Sequence, residues 1–180
     1  QISIHIADVN ITNSSFQNSF SDDGINIKHS LVQIKNNSFI NNSADQVDLD
    51  YVHGFVTNNV FDFIGDHEEK LTDGLDISGS KLLISGNIIE NMTDKGLSIG
   101  ERSEAIVTNN IIKDNNIGIA LKDGSRICLS NNVNKNFDNI SLYIKKNMYQ
   151  APTLFIDNQL LESSNLTHQN CQIETFMTNE

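Results

Sequence analysis

Acidic residues recur at short spacing in two stretches of the first half of the chain, 45–50 and 73–76. They are Asp45, Asp48, Asp50, Asp73 and Asp76. Carboxylates packed close together raise one another's pKa, so that one of a pair can serve as an acid and the other as a base. Several carboxylates also supply the oxygen ligands that Ca²⁺ prefers. The two stretches therefore predict acid–base chemistry or a calcium site, with these five aspartates as the metal ligands.

Acid–base chemistry also requires a proton donor or a base of another type. Two lysines follow the aspartates, and a histidine lies in the run VDLDYVHGF. The predicted catalytic residues are Lys95, Lys122, His53, Asp48 and Asp76. The simpler alternatives are a solvated acidic surface, lysines that pair with neighbouring aspartates, and a histidine on a turn.

A repeat of about 22 residues must position these side chains. The string VNITNSSF returns as VQIKNNSF, GFVTNNVF, LLISGNII, AIVTNNII and ICLSNNVN. The equivalent positions are Asn13, Asn36, Asn58, Gly86, Asn109 and Asn131, separated by 23, 22, 28, 23 and 22 residues. A fixed period of this length is typical of a stacked solenoid.

Within each repeat, apolar residues alternate in two short stretches, as Val32 and Ile34 or Val47 and Leu49 do, and a third apolar position follows the Asn. This spacing predicts three short strands per coil with no room for a helix. The predicted fold is all-β, a right-handed parallel β-helix of about six coils over residues 1–144. Residues 145–180 are expected to form a terminal coil and capping tail of the same domain.

Stacked coils place like residues in columns. The repeated Asn is predicted to form a buried amide ladder, and the three phenylalanines at its third apolar position to stack as an aromatic column. The predicted outward columns are Asp23/Asp45/Asp73/Lys95, Asn26/Asp48/Asp76/Ser98/Ala120 and Lys28/Asp50/Ser78/Gly100/Lys122. The five aspartates therefore share one face within two neighbouring coils.

Two further features surround this face. The spacing of 28 residues between Asn58 and Gly86 is longer than the others because a segment is inserted at 65–72, immediately before Asp73. This inserted segment is predicted to form a groove wall or a lid, or else to be a tolerated surface insertion. An outward apolar stripe of Phe55, Leu83 and Ile106 predicts a cover by residues 150–180, by a flanking domain or by a protein partner.

The net charge of −11 and the pI near 4.7 argue against nucleic acid as a partner, because phosphate binding requires clustered Lys and Arg. The sequence contains no apolar run of about 18 residues, so membrane insertion is not expected. Because the chain opens directly on a strand pattern, we expect a mature piece or fragment of a larger protein.

With this coil length, the TNN-type Asn positions and the aliphatic columns, residues 1–144 resemble the right-handed parallel β-helix superfamily of pectate, chondroitin and alginate lyases, mannuronan epimerases and phage tailspike glycosidases. The segments DGLDISGS, DKGLSIGE and GIALKDGS are similar to a bacterial branch of extracellular or surface proteins. The epimerase motif DPHD is absent, and Arg102 and Arg126 fall outside the three outward columns, unlike the arginine base of pectate lyases.

The resemblance implies an extracellular or cell-surface protein that binds or processes an acidic polysaccharide, with or without Ca²⁺, by lyase, epimerase or hydrolase chemistry. A non-catalytic structural or adhesion module of a larger surface protein is the alternative, because fold specifies activity poorly.

Overall fold

The computed structural model describes residues 1–20, 22–65, 71–135 and 140–156, with only the backbone described at 133–135 and 156. Twenty short strands make up the regular structure of this part of the chain. Every strand pairs in parallel with its equivalent one coil away, and the strands form three sheets. The predicted fold, a solenoid of about six stacked coils, is confirmed.

Sheets A and B run the length of the solenoid. Sheet A contains β1 (Ile2–His5), β4 (Ile25–Lys28), β7 (Val47–Asp50), β10 (Leu75–Ser78), β13 (Lys95–Gly100), β16 (Ile117–Lys122) and β19 (Ile140–Tyr143). Sheet B contains β2 (Asp8–Thr12), β5 (Leu31–Lys35), β8 (His53–Thr57), β11 (Lys81–Ser85), β14 (Glu104–Thr108), β17 (Arg126–Ser130) and β20 (Thr153–Ile156).

Sheet C completes each coil with strands of three residues. It contains β3 (Ser15–Gln17), β6 (Ser38–Ile40), β9 (Val60–Asp62), β12 (Ile88–Glu90), β15 (Ile111–Lys113) and β18 (Val133–Lys135). The strand β20 lies in the segment 145–180, of which residues 157–180 lie outside the described part.

The core is a set of aliphatic and aromatic columns, because alternate residues of each strand point inward. Ile25, Leu49 and Ile77 are fully buried. The phenylalanine column is confirmed: the ring centroids of Phe16 and Phe39 lie 5.2 Å apart, and those of Phe39 and Phe61 also lie 5.2 Å apart. Burial of these columns is the main stabilising contribution in a solenoid, where each coil packs only on its neighbours.

The buried amide ladder lies one residue later than predicted. Its members are Asn37, Asn59, Asn87, Asn110 and Asn132. The amide nitrogen of each donates to the amide oxygen of the next, at 2.9 to 3.0 Å. The predicted column instead adopts a left-handed backbone, with φ of 51° at Asn13 and 57° at Asn109. Those residues make the bend, which Asn tolerates, and the bend turns the following Asn inward.

The outward apolar stripe is buried unevenly. Phe55 is 40% exposed and Ile106 is 8% exposed, while Leu83 is partly buried. The predicted partner on this stripe stays a prediction. Within the described residues, no helix has the length and hydropathy needed to cross a membrane.

Candidate functional site

The register of two of the predicted columns, those of Asp48 and Asp50, is confirmed on sheet A, although Ser98 and Ala120 are fully buried. Asp48 of β7 pairs with Asn26 of β4 and with Asp76 of β10, and Asp76 pairs with Ser98 of β13. Neighbouring strands in such a sheet lie about 4.8 Å apart. We call this surface the carboxylate face. It contains Asp23, Asp45, Asp48, Asp50, Asp73, Asp76, Lys28, Lys95 and Lys122.

Three of its aspartates form a second ladder at the turn that enters sheet A. The carboxylate of Asp23 accepts the backbone N–H of Asp45 at 3.2 Å, and that of Asp45 accepts the N–H of Asp73 at 3.1 Å. Asp73 accepts the N–H of Lys95 at 3.0 Å. These carboxylates therefore hold successive coils together as well as carrying charge. The signal for this ladder is an aspartate that recurs two residues before β4, β7 and β10, and sequence reasoning did not use it in this way.

Burial and crowding favour the protonated form of these carboxyl groups. The pKa of Asp45 is raised to about 8, mainly by burial and to a smaller extent by the charges of Asp73 and Asp76. The pKa of Asp48 is raised to about 7, mainly by burial and to a smaller extent by the charge of Asp50. Burial also raises the pKa of Asp73, although Lys95 opposes that rise. At neutral pH the face therefore contains carboxyl groups that can donate a proton.

Lys95 closes the aspartate ladder as a cation. Burial lowers its pKa, but the charge of Asp73 and the hydrogen bond and charge of Asp94 together raise that pKa above the usual value. Its ammonium lies 3.4 Å from the Asp73 carboxylate and forms a second ion pair with Asp94. Because these partners hold the proton, Lys95 is poorly suited to the predicted role of a base.

Lys122, on β16, lies at the end of the face and is only 6% exposed. Its ammonium donates to the hydroxyl of Ser98 at 2.7 Å and lies 3.9 Å from Oδ1 of Asp76. Ser98 is fully buried in this arrangement. Ser98 is a polar member of the site that sequence reasoning placed in a column without assigning it a role. The contacts make Lys122 a positioning group for Asp76.

Two buried oxygens of the face accept no hydrogen bond among the described residues, Oδ1 of Asp76 and Oδ1 of Asn26. The Asn26 amide nitrogen is occupied, because it donates to the carboxylates of Asp48 and Asp23. A buried acceptor without a donor is energetically unfavourable. Asp76 therefore has an oxygen that can accept a hydrogen bond from a ligand.

The structure does not bring His53 to this face. His53 begins β8 on sheet B, is exposed, and lies in register with Leu31 and Lys81. The turn at Tyr51 separates it from Asp50, because the chain changes sheets there. The residues Asp66, His67, Glu68 and Glu69 of the inserted segment lie outside the described part of the chain.

The remaining predicted metal ligands already have hydrogen-bond or ion-pair partners. Asp50 is paired with Lys28 at 2.5 Å, and Asp45 and Asp73 are engaged by backbone amides. In the described ranges, no group of three or more His, Cys, Asp and Glu side chains is arranged to hold a metal ion.

Comparison with known proteins gives a family match over most of the chain. The model described as the right-handed beta helix region matches residues 2–160. No curated protein and no solved structure matches the chain.

Proposed function

The chain belongs to the right-handed β-helix family, and from this premise we propose that it binds and hydrolyses an acidic polysaccharide on its carboxylate face. One observation carries the proposal: Asp45, Asp48, Asp73 and Asp76 are packed together on one rigid sheet surface. The lysines at the end of this face offset part of its negative charge. An extracellular or cell-surface location belongs to the same proposal, since such polymers are found there.

The proposed reaction divides the work between two carboxyl groups. Asp45, protonated at neutral pH, gives its proton to the glycosidic oxygen, and the bond from that oxygen to the anomeric carbon breaks. Water adds to the anomeric carbon, and Asp76 takes the proton that the water loses. Lys122, 3.9 Å from Asp76, orients this carboxylate and stabilises its charge.

Hydrolysis is preferred over lyase or epimerase chemistry because of the lysines. Removal of a carbon-bound proton requires a strong base at the face. Lys95 is held as a cation by Asp73 and Asp94, and Lys122 is engaged by Ser98. Neither arrangement leaves a free amine beside a sugar ring, whereas carboxyl groups in two protonation states are what hydrolysis uses.

A test of hydrolysis uses pectate, alginate and glycosaminoglycan as substrates and measures new reducing ends. We expect product from the wild type and a loss of about 100-fold or more in Asp45→Asn and in Asp76→Asn. Glu90→Gln, which removes a carboxylate paired with Lys113 on sheet C, is the matched control and should retain activity. Release of unsaturated uronate, detected by absorbance, would instead identify a lyase and contradict the hydrolytic reaction.

A non-catalytic structural or adhesion module is the second candidate. The aspartate ladder favours it, because Asp23, Asp45 and Asp73 already serve as acceptors for backbone amides between coils. Polysaccharide binding without any product across the same substrates would support this candidate. Absence of both binding and product would leave the carboxylate face with its structural role alone.

Calcium binding at Asp45, Asp48, Asp50, Asp73 and Asp76 stays a prediction. Three of these, Asp48, Asp50 and Asp76, are engaged by side chains that can move away, namely Asn26, Lys28 and Lys122. A calcium ion there would compensate the crowded negative charge and supply a contact for the carboxylate of a uronate.

A further inference from the structure

The outward apolar stripe of sheet B continues further than the sequence pattern indicated. Phe55 pairs with Leu83, and Leu83 pairs with Ile106 of the next coil. Ile106 pairs with Cys128, and Cys128 pairs with Phe155 on the last strand of the sheet. The stripe therefore runs through five coils and includes a cysteine.

Exposure along the stripe falls toward that cysteine. Phe55 is 40% exposed, whereas Ile106 is only 8% exposed although its side chain points away from the core. Ile111 on sheet C also points outward and also has a paired strand on each side, yet it is 38% exposed. Two flanking strands by themselves therefore leave an outward isoleucine accessible, and the low exposure of Ile106 indicates a further cover near Cys128.

The state of Cys128 indicates what this cover is. Cys128 is the one cysteine in the described part of the chain, and it is disulfide-bonded. No cysteine in that part is free. The other cysteine of the sequence is Cys171, which lies outside the described residues. A disulfide within one chain therefore has a single available pairing.

We propose that a disulfide between Cys128 and Cys171 ties residues 157–180 across the Cys128 end of the stripe, and that this segment covers Ile106. The described chain ends at Ile156 on β20, which pairs with β17, the strand of Cys128. Residues 157–170 can span about 45 Å when extended, far more than the spacing of about 4.8 Å between those strands. The bridge is on sheet B and does not depend on the reaction proposed for the carboxylate face.

The segment also contains the apolar side chains that a cover requires. Three of them follow Cys171 closely: Ile173, Phe176 and Met177. Six extended residues reach about 20 Å, while Ile106 and Leu83 lie about 5 and 10 Å from Cys128, one and two coils away. These side chains can therefore pack on Ile106 and Leu83, and removal of that apolar area from water stabilises the cover.

The bridge forms by thiol–disulfide exchange. The thiols of Cys128 and Cys171 lose two protons and two electrons, and a low-molecular-weight disulfide such as oxidised glutathione accepts them and leaves as two thiols. One sulfur–sulfur bond forms and one breaks. Such bridges persist in oxidising surroundings and are lost in reducing ones. The cover is therefore fixed under oxidising conditions and released under reducing conditions.

The pairing is tested by peptide mapping of the monomeric full chain, folded with oxidised glutathione and digested with trypsin in the absence of reductant. Cleavage after Arg126, Lys135 and Lys146 gives peptides 127–135 and 147–180, and each contains one cysteine. We expect mass spectrometry to find these two peptides joined, and to find them separate after reduction.

The cover is tested by hydroxyl-radical labelling of the bridged wild type and of the double variant Cys128→Ser/Cys171→Ser. Labelling of Ile106 should rise about fivefold in the variant, which is the ratio of the exposed fractions of Ile111 and Ile106, 38% and 8%. Ile111 and Phe55 are internal controls, and their labelling should be equal in both proteins. Circular dichroism checks that the variant keeps its β structure.

Three outcomes overturn the proposal. The first is recovery of both cysteines as free thiols after folding with oxidised glutathione. The second is a Cys128 peptide joined to the same peptide of a second copy, which would place another chain on the stripe. The third is equal labelling of Ile106 in the bridged protein and in the double variant, which would mean that the bridge does not hold the cover.

Discussion

Asp45 combines a structural and a chemical role in one side chain. Its carboxylate accepts the backbone N–H of Asp73, while burial and the neighbouring aspartates raise its pKa to about 8. The hydrogen bond favours the charged form and burial favours the neutral form, and burial has the larger effect. The group is therefore neutral at pH 7 although it lies in a ladder of carboxylates. The same property makes it a proton donor in the proposed reaction.

The raised pKa of Asp45 predicts how stability depends on pH. The folded chain keeps the proton up to about pH 8, whereas the unfolded chain releases it near the ordinary value of 3.8. The folded state therefore binds more protons between these values, and the free energy of unfolding decreases as pH rises through this range. Below about pH 4 both states are protonated and the penalty is absent.

We expect Asp45→Asn to remove part of this slope, because the amide keeps an acceptor for Asp73 and does not ionise. Between about pH 5 and pH 8 the free energy of unfolding of the wild type should fall by about 2 kcal/mol more than that of the variant. Urea denaturation at several pH values measures this difference. Glu104→Gln, a change at a half-buried position on sheet B that is paired with Lys81, is the control, and equal slopes in all three proteins would refute the assignment.

At the scale of the strand and turn, the bend between sheets B and C assigns different tasks to two consecutive asparagines. Asn109 adopts φ of 57° and is exposed, whereas Asn110 is fully buried. The Asn110 amide nitrogen donates to the Ile84 carbonyl at 3.0 Å and to Asn132 at 2.9 Å. Its oxygen accepts from the backbone and side chain of Asn87. Both asparagines take part in one turn, but only the second bonds across three coils.

This division of tasks predicts opposite results for neighbouring substitutions. Asn110→Ala should destabilise the chain by about 2 to 4 kcal/mol, because it leaves several buried polar groups without partners. Asn109→Gly should be nearly neutral, since glycine adopts the left-handed bend freely. Urea denaturation of the two variants provides a matched comparison. A larger loss in Asn109→Gly would mean that the ladder is assigned to the wrong residue.

The whole solenoid behaves as a stack in which each coil supports the next. The net charge of −11 is concentrated in part on the carboxylate face, where like charges oppose the packing of neighbouring coils. Protonation of Asp45 and the ammonium groups of Lys95 and Lys122 relieve some of this repulsion. A bound divalent cation would relieve more of it, and the effect would appear in the stability of the whole molecule.

The calcium prediction is therefore tested by thermal unfolding with and without the ion. If calcium binds the native face, the melting temperature of the wild type should rise by several degrees at saturating calcium. The double variant Asp48→Asn/Asp76→Asn should lose that rise. Glu90→Gln on sheet C should keep it. An identical melting temperature with and without calcium in the wild type would remove the metal prediction and leave proton transfer as the role of the face.

The sequence by itself determined the period, the three strands per coil and the register of sheet A. Parallel coils stack equivalent residues directly, so the spacing along the chain is enough to place Asp48 beside Asp76. The phenylalanine column followed for the same reason. No long-range pairing had to be guessed, because each coil contacts only its neighbours.

The tertiary structure decided which groups are buried and what they contact. The repeat pattern does not show that Asn109 adopts a left-handed bend. Because of this bend, the buried amide ladder contains Asn110 and not the predicted Asn109. The turn at Tyr51 moved His53 to another sheet, away from Asp50. Burial and nearby charges, which depend on three-dimensional surroundings, set the protonation of Asp45 and the ion pairs of Lys95. The repeat thus specified the neighbours on the face, and packing specified their chemistry.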